Sequence, residues 1–174
     1  MEMVLKSLAE NNSIEELILD GNTFKSKEVA RLLHEYLAHS QTLKKLSMAD
    51  CNFSAKCLPA FHAGLSQNSS ILELRMDGNK FGKKGFDILA QTIFKMKAVE
   101  HISFKRTDLN SFFFIDFLEI VFGAGTETRL STIDISRTLV KNPFSLKQVG
   151  QRYLAILQSV HHLIFINREA VIAK

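Results

Sequence analysis

Few residues in this chain could do chemistry, and their spacing argues against most of it. His34-Glu35-Tyr36-Leu37-Ala38-His39 approaches the HExxH zinc motif, but the second histidine falls at i+5. On a helix of 3.6 residues per turn that sets the two imidazoles about 140° apart, too far round to share one ion. His161 and His162 are adjacent, with no carboxylate or cysteine at ligand spacing, and neighbours on a strand face opposite ways. Cys51 and Cys57 form no CxxC pair. Cys51 is expected buried and inert, and spacing ties no His or Lys to Cys57. No P-loop, GxGxxG, GxSxG or kinase signature occurs. We therefore assign no catalytic residue, no metal and no cofactor, and read the chain as a non-enzyme.

The elements around these residues are better marked. The chain has 174 residues, 46% hydrophobic and 23% charged, enough for one domain with a real core. That composition excludes disordered, collagen-like and disulfide-scaffold classes. No run approaches the roughly 20 apolar residues that span a bilayer, and no signal peptide opens the chain. A reduced, cytoplasmic setting is the expectation, with no membrane role, and the N-x-S triplets at Asn11, Asn52 and Asn68 weigh little without a secretory signal. The net charge of +4 is scattered, much of it over predicted helices (Lys83-Lys84, Lys95, Lys97), with no basic–aromatic platform, so nucleic acid is not an expected partner. With only 8 Gly and 2 Pro, turn-formers are scarce, and a reused turn would explain that.

Five segments share one pattern: Ile14 to Phe24, Leu43 to Phe53, Ile71 to Phe81, Val99 to Leu109 and Leu130 to Val140. Apolar residues recur at positions one, four, six and eleven, and position nine is Asn22, Cys51, Asn79, Thr107 or Thr138. A weaker sixth start at Val160 puts Leu163 and Phe165 inward. The alternation within each segment (Leu17 and Leu19, Leu46 and Met48, Leu74 and Met76) predicts a short strand with one buried face. At position nine a buried Asn amide can bond backbone groups as the chain turns inward, and Cys51 can substitute. Thr107 and Thr138 are poorer substitutes, and Gly21 and Gly78 are turn glycines rather than phosphate-cradling ones.

Helices follow the strands. Val29, Leu32, Leu33, Tyr36 and Leu37 fall on one helical face, as do Phe86, Leu89, Ala90, Ile93 and Phe94, and Phe114, Phe117, Leu118, Val121 and Phe122. Ser26 and Ser54 are plausible N-caps. Pro59 requires the second helix to begin close to Leu58. The run Phe112-Phe113-Phe114 exceeds what one face can bury, so one ring is expected exposed or under a neighbour. Gly123 to Thr128 reads as a flexible loop, and Lys141 to Pro143 extends the next turn.

The pattern L-x-x-L-x-L-x-x-N/C-x-L is the leucine-rich-repeat signature, and a strand-plus-helix unit of 28 or 29 residues resembles the ribonuclease-inhibitor-like class. The resemblance implies an α/β solenoid: a right-handed superhelix with parallel strands on the concave face and helices on the convex face. It also implies a non-catalytic protein-binding scaffold. Relatives of the class include Ran GTPase-activating proteins, tropomodulins, CARMIL-type actin regulators and NOD-like receptors, so regulation of a small GTPase or of actin assembly, or ligand sensing within a receptor, stays open. No catalytic residue carries over from the GTPase-activating proteins.

The chain reads as one domain, residues 1–174: a partial-repeat helix at 1–13, repeats starting near 14, 43, 71, 99 and 130, and a final strand near 160–167. Either the first helix caps the stack, or the chain is a stretch of a longer array whose uncapped ends permit end-to-end association. The expected contact surface is the concave strand face, with Glu16, Ile18, Asp20, Lys45, Asp50, Glu73, Arg75, Asp77, His101, Lys105, Arg106, Asp134, Arg137, His162 and Ile164 pointing outward. Acidic residues crowd repeats one to three and basic ones repeats four to six, which predicts a polarised face that orients a protein partner. Ile164 and Ile166 would be exposed on the last strand unless a partner covers them or that strand leaves the repeat register.

Overall fold

The computed structural model describes residues 2–8, 11–53, 57–123, 128–139 and, for backbone alone, 164–166. Strands β1 to β6 are Glu16–Ile18, Lys45–Ser47, Glu73–Arg75, His101–Ser103, Thr132–Asp134 and Ile164–Ile166. They form one parallel sheet in chain order. Helices α1 to α5 are Glu2–Leu8, Lys27–His39, Leu58–Gln67, Gly82–Lys95 and Ser111–Phe122. Each of the latter four follows a strand, and this is the α/β leucine-rich-repeat solenoid.

The predicted columns are the core. Leu17, Leu46, Leu74, Ile102 and Ile133 register against one another at position four, all buried. Position eleven continues into a chain of rings. Phe24 stacks on Phe53 with centroids 5.1 Å apart, and Phe53 meets Phe81 at 6.1 Å. Phe86 meets Phe81 and Phe104 edge-on, and Phe104 passes the contact to Phe117. Of the three consecutive phenylalanines, Phe114 is buried and Phe113 lies against Phe86, leaving Phe112 71% exposed.

The helix faces follow the predicted spacing, except that Phe94 is 39% exposed and carries Lys97 over its ring. Helix α3, the helix of the second repeat, begins at Leu58, which places Pro59 where no helical N–H is needed. Ser26 stands at the N-cap of α2 but its hydroxyl makes no capping bond, whereas Asn110 caps α5 by accepting from the Phe112 and Phe113 amides. Ser54, residues 124–127 and Lys141 to Pro143 lie outside the described residues.

The last strand departs from the sequence register. Thr132 pairs with Ile164 and Ile133 with Phe165, so β6 sits two residues later than a start at Val160 requires. A shift of two preserves the inward–outward alternation of a strand, which is why sequence alternation could not detect it.

Gly64 is where two helices meet closely. A Cβ there would lie 2.9 Å from the His34 carbonyl oxygen and 3.0 Å from its Cα. Backbone cannot yield cheaply, so Gly64→Ala is expected to destabilise by about 1–2 kcal/mol in urea titration, although alanine favours helix by roughly 1 kcal/mol.

Candidate functional site

The strand face opposite the helices is built from positions three, five, seven and eight of each repeat. At position three, Glu16, Lys45 and His101 are exposed and Glu73 and Thr132 half-buried. At position five, Ile18 is 63% exposed and Arg75 is exposed, while Ser47 and Ser103 are buried and Asp134 half-buried. Ile18 is thus an apolar side chain held to solvent on β1 beside charged neighbours.

Position seven is only partly exposed: Asp20 is exposed and Lys105 half-buried, while Ala49, Asp77 and Ser136 are buried. Asp77 is 2% exposed: its Oδ1 accepts from Ser103 Oγ at 2.5 Å and from the Lys105 amide at 2.9 Å. Asp20 repeats the device one pair of repeats earlier, accepting from Ser47 Oγ at 2.6 Å and the Ala49 amide at 2.7 Å. Both carboxylates tie their own turn to the strand end of the next repeat. The signal was present in the sequence, an Asp at position seven followed by a Ser at position five one repeat later. Asp134 is held by the Ser136 amide at 3.0 Å and by Lys105 Nζ at 2.8 Å. Burial alone would raise its carboxyl, but these hydrogen bonds outweigh it and hold it below the usual range.

The expected charge gradient is largely cross-paired. Lys45 lies 3.9 Å from Glu73, Arg75 3.4 Å from Asp77 and Lys105 2.8 Å from Asp134. Asp50 reaches Arg106 at 3.1 Å, across the whole of repeat three. Gly78 lies between them, and a Cβ there would fall 1.9 Å from Asp50 Oδ1. Position eight is left-handed in all five repeats, with φ of 72° at Gly21, 52° at Asp50, 67° at Gly78, 54° at Arg106 and 59° at Arg137. The non-glycine members accept roughly 1 kcal/mol or more of backbone strain. Among the described residues, Glu16, His101 and Arg137 form no ion pair. His162 lies outside the described residues, and Ile164 is placed by backbone register only, opposite Thr132.

Beneath the face runs the position-nine ladder. Asn79 Nδ2 donates to the carbonyls of Met48 at 2.8 Å and Met76 at 2.9 Å, while Oδ1 accepts from the Cys51 amide at 2.8 Å. Cys51 Sγ donates to Leu19 O at 3.1 Å, and burial pushes its thiol up to about 11, as an inert structural cysteine requires. Thr107 Oγ1 donates to Phe104 O at 2.8 Å and accepts from the Leu109 amide at 3.4 Å, and Thr138 Oγ1 donates to Ile135 O at 2.8 Å. The Thr107 hydroxyl is too short to reach the preceding repeat as the Asn79 amide does.

Elsewhere the chemistry is sparse. No group of three or more His, Cys, Asp or Glu among the described residues could hold a metal. No helix among them is long and apolar enough to cross a membrane. An open groove of about 370 Å³ between α2 and α3 is lined by Lys27, Ala30, Arg31, His34, Ala60 and Ala63, with Arg31 already paired to Glu28 and Glu35.

No family model matches the chain. Ribonuclease inhibitor from Sus scrofa is 34% identical over 87 residues, 49% of this chain and 19% of that protein, so the chain spans about a fifth of the inhibitor's length. The tropomodulin C-terminal domain from Caenorhabditis elegans superposes with a TM-score of 0.66 at 16% identity, covering 91% of each chain. Leiomodin-1 actin-binding site 2 superposes with a TM-score of 0.63 at 14% identity, covering 89% of this chain and 86% of that one. At such identities the structural likeness shows the fold. With five repeats in register, one parallel sheet and a stretch of sequence akin to the inhibitor, the chain is a leucine-rich-repeat protein of the ribonuclease-inhibitor-like class.

Proposed function

We propose that this chain is a non-catalytic scaffold that binds a protein partner on its strand face. One observation carries the reading: Ile18 stands 63% exposed on β1 with Glu16, and the exposed Lys45, Arg75 and His101 continue the same face over β2, β3 and β4 in a common register. An apolar anchor bordered by charge is where interfaces concentrate binding energy. A rigid sheet also spares the ordering cost that mobile loops incur. Because Lys45–Glu73, Asp50–Arg106 and Lys105–Asp134 set both signs side by side, recognition depends on register rather than on bulk attraction. The buried, raised Cys51 thiol supports the non-catalytic part. Neither nucleic acid nor a membrane surface enters the reading, and its setting is cytoplasmic.

Two finer partners follow from the relatives. Leiomodin-1 carries an actin-binding site on this fold, and the inhibitor's name assigns it a ribonuclease. Monomeric actin and a ribonuclease are therefore the first probes, alongside affinity capture from lysate. Ile18→Asp combined with His101→Ala alters two exposed side chains that form no ion pair. It is expected to lower retention of the wild-type partner by about tenfold or more with an unchanged melting temperature. Equal retention by the double variant would overturn the strand-face reading. Asp77 is unsuitable for this test, because its carboxylate is buried in the turn.

A further inference from the structure

Position eight takes a left-handed backbone in all five repeats, and glycine supplies it without strain at Gly21 and Gly78. Repeats four and five place arginine there instead, with φ of 54° at Arg106 and 59° at Arg137. Asp50 belongs to a residue type that tolerates this region, because a short polar side chain can bond locally; arginine has no such relief. Backbone strain of this kind concentrates where a side chain is put to use. Arg106 has part of a use, since its Nη2 reaches Asp50 at 3.1 Å. Arg137 is exposed and, among the described residues, forms no ion pair.

The two arginines are neighbours, because the Arg106 amide donates to Ser136 O at 3.1 Å. Their turns run on in parallel to Asn110 and Leu139, which are bridged. Leu139 is 68% exposed there, and Phe112, two residues past Asn110, is 71% exposed. In repeats two to five, Phe94 is the one other large apolar side chain exposed among the described residues. The backbone carrying the pair is fixed. Asn110 caps α5 through the Phe112 and Phe113 amides, and the Leu139 amide donates to Leu109 O at 3.0 Å. Asp108 accepts from the Phe81 and Gly82 amides of repeat three, which sets the exposed Lys80 beside the same turn.

Charge on this rim is unbalanced. Both Asp108 oxygens are used on the amides, Asp87 and Asp116 pair with Lys83, and Asp134 pairs with Lys105. Lys80, Lys84 and Arg137 have no carboxylate partner among the described residues.

We infer that Lys80, Arg106, Phe112, Arg137 and Leu139 form a docking site for an extended acidic segment of a protein partner, one with apolar side chains between its carboxylates. Guanidinium forks hold carboxylates bidentately, and Phe112 and Leu139 take the apolar side chains. A broad anionic surface such as a membrane fits less well, because the Asp50 side chain stands 53% exposed against Arg106 and would meet it. A narrow segment passes Asp50 by. The site lies on the turns beyond β4 and β5 and does not involve Ile18, so this inference and the strand-face reading can fail separately.

The probe is a fluorescein-labelled peptide in which leucine and phenylalanine stand between pairs of glutamates, titrated with the full chain at low salt and followed by anisotropy. Saturable binding is expected. It should weaken by about tenfold or more when glutamines replace the glutamates, and again when alanines replace the leucine and phenylalanine. Arg137→Gly should weaken the acidic peptide by about tenfold with a melting temperature no lower than the parent's, since glycine accepts the left-handed turn. Phe112→Ala should weaken it by about fivefold with unchanged melting. Ile18→Asp with His101→Ala should leave peptide affinity as it is. Absence of saturable binding, equal binding of the glutamine peptide, or equal binding by Arg137→Gly and Phe112→Ala would overturn the inference. So would a lower melting temperature for Arg137→Gly, which would give that arginine a structural role. Sedimentation with phosphatidylserine vesicles that depends on Arg137 and Phe112, without peptide binding, would overturn the choice of occupant in favour of a membrane.

Discussion

Replacing Phe86 with alanine is expected to cost about 3–5 kcal/mol in urea unfolding. The ring is 1% exposed and meets three others: Phe81 at 5.4 Å, Phe104 at 5.9 Å and Phe113 at 6.1 Å between centroids. It therefore joins the position-eleven column of repeats one to three to the rings of repeat four. Truncation removes the transfer energy of a phenyl group and leaves a cavity whose walls belong to strands and helices that cannot collapse together. Edge-on pairs contribute roughly 0.5–1.5 kcal/mol beyond burial, and those are lost as well. Phe86→Leu should cost less than half as much. Phe112→Ala is expected to change stability by less than about 0.5 kcal/mol, since that ring faces solvent. A neutral Phe86→Ala would mean the rings do not form one connected core.

Asn79→Ala is expected to cost about 3–5 kcal/mol through polar rather than apolar loss. Its amide serves the Met48, Met76 and Asp77 carbonyls and the Cys51 amide, all in the buried turn between repeats two and three. Each buried group left without a partner costs roughly 1–3 kcal/mol, and the space vacated is too enclosed for water to restore every bond. Asn79→Thr should recover part of the loss, because Thr107 shows that a hydroxyl keeps the bond to the carbonyl three residues back. Asn22→Ala should cost less than about 1 kcal/mol, since its amide serves only its own half-buried turn. Equal losses at Asn22 and Asn79 would remove the inter-repeat role assigned to the ladder.

Repeat spacing alone marks these positions, and the inward columns, the helix faces and the helix start at Leu58 are legible in the same way. Each depends on spacing of 2, 3.6 or 28 residues along one chain, which the sequence displays directly. The outward face was legible only as a set of positions. Asp77 reads like Asp20 or Asp50 in a column of side chains, yet it is buried because Ser103 and the Lys105 amide, in the next repeat, close over it. The register of β6 was equally invisible, since a two-residue shift leaves the alternation of the sequence pattern unchanged.

The sequence by itself determined the repeat, its strand and helix halves and the side chains that make the core. Burial of apolar surface is non-directional, and a periodic pattern is enough to specify it. Only the tertiary structure decided which charges remain available to a partner. Stacking sets residues 26 to 56 positions apart within reach of one another, as Asp77 is to Ser103 and Asp50 to Arg106. Hydrogen bonds and ion pairs are directional and act over a few ångströms, so their partners are chosen by that stacking and not by the chain's own order.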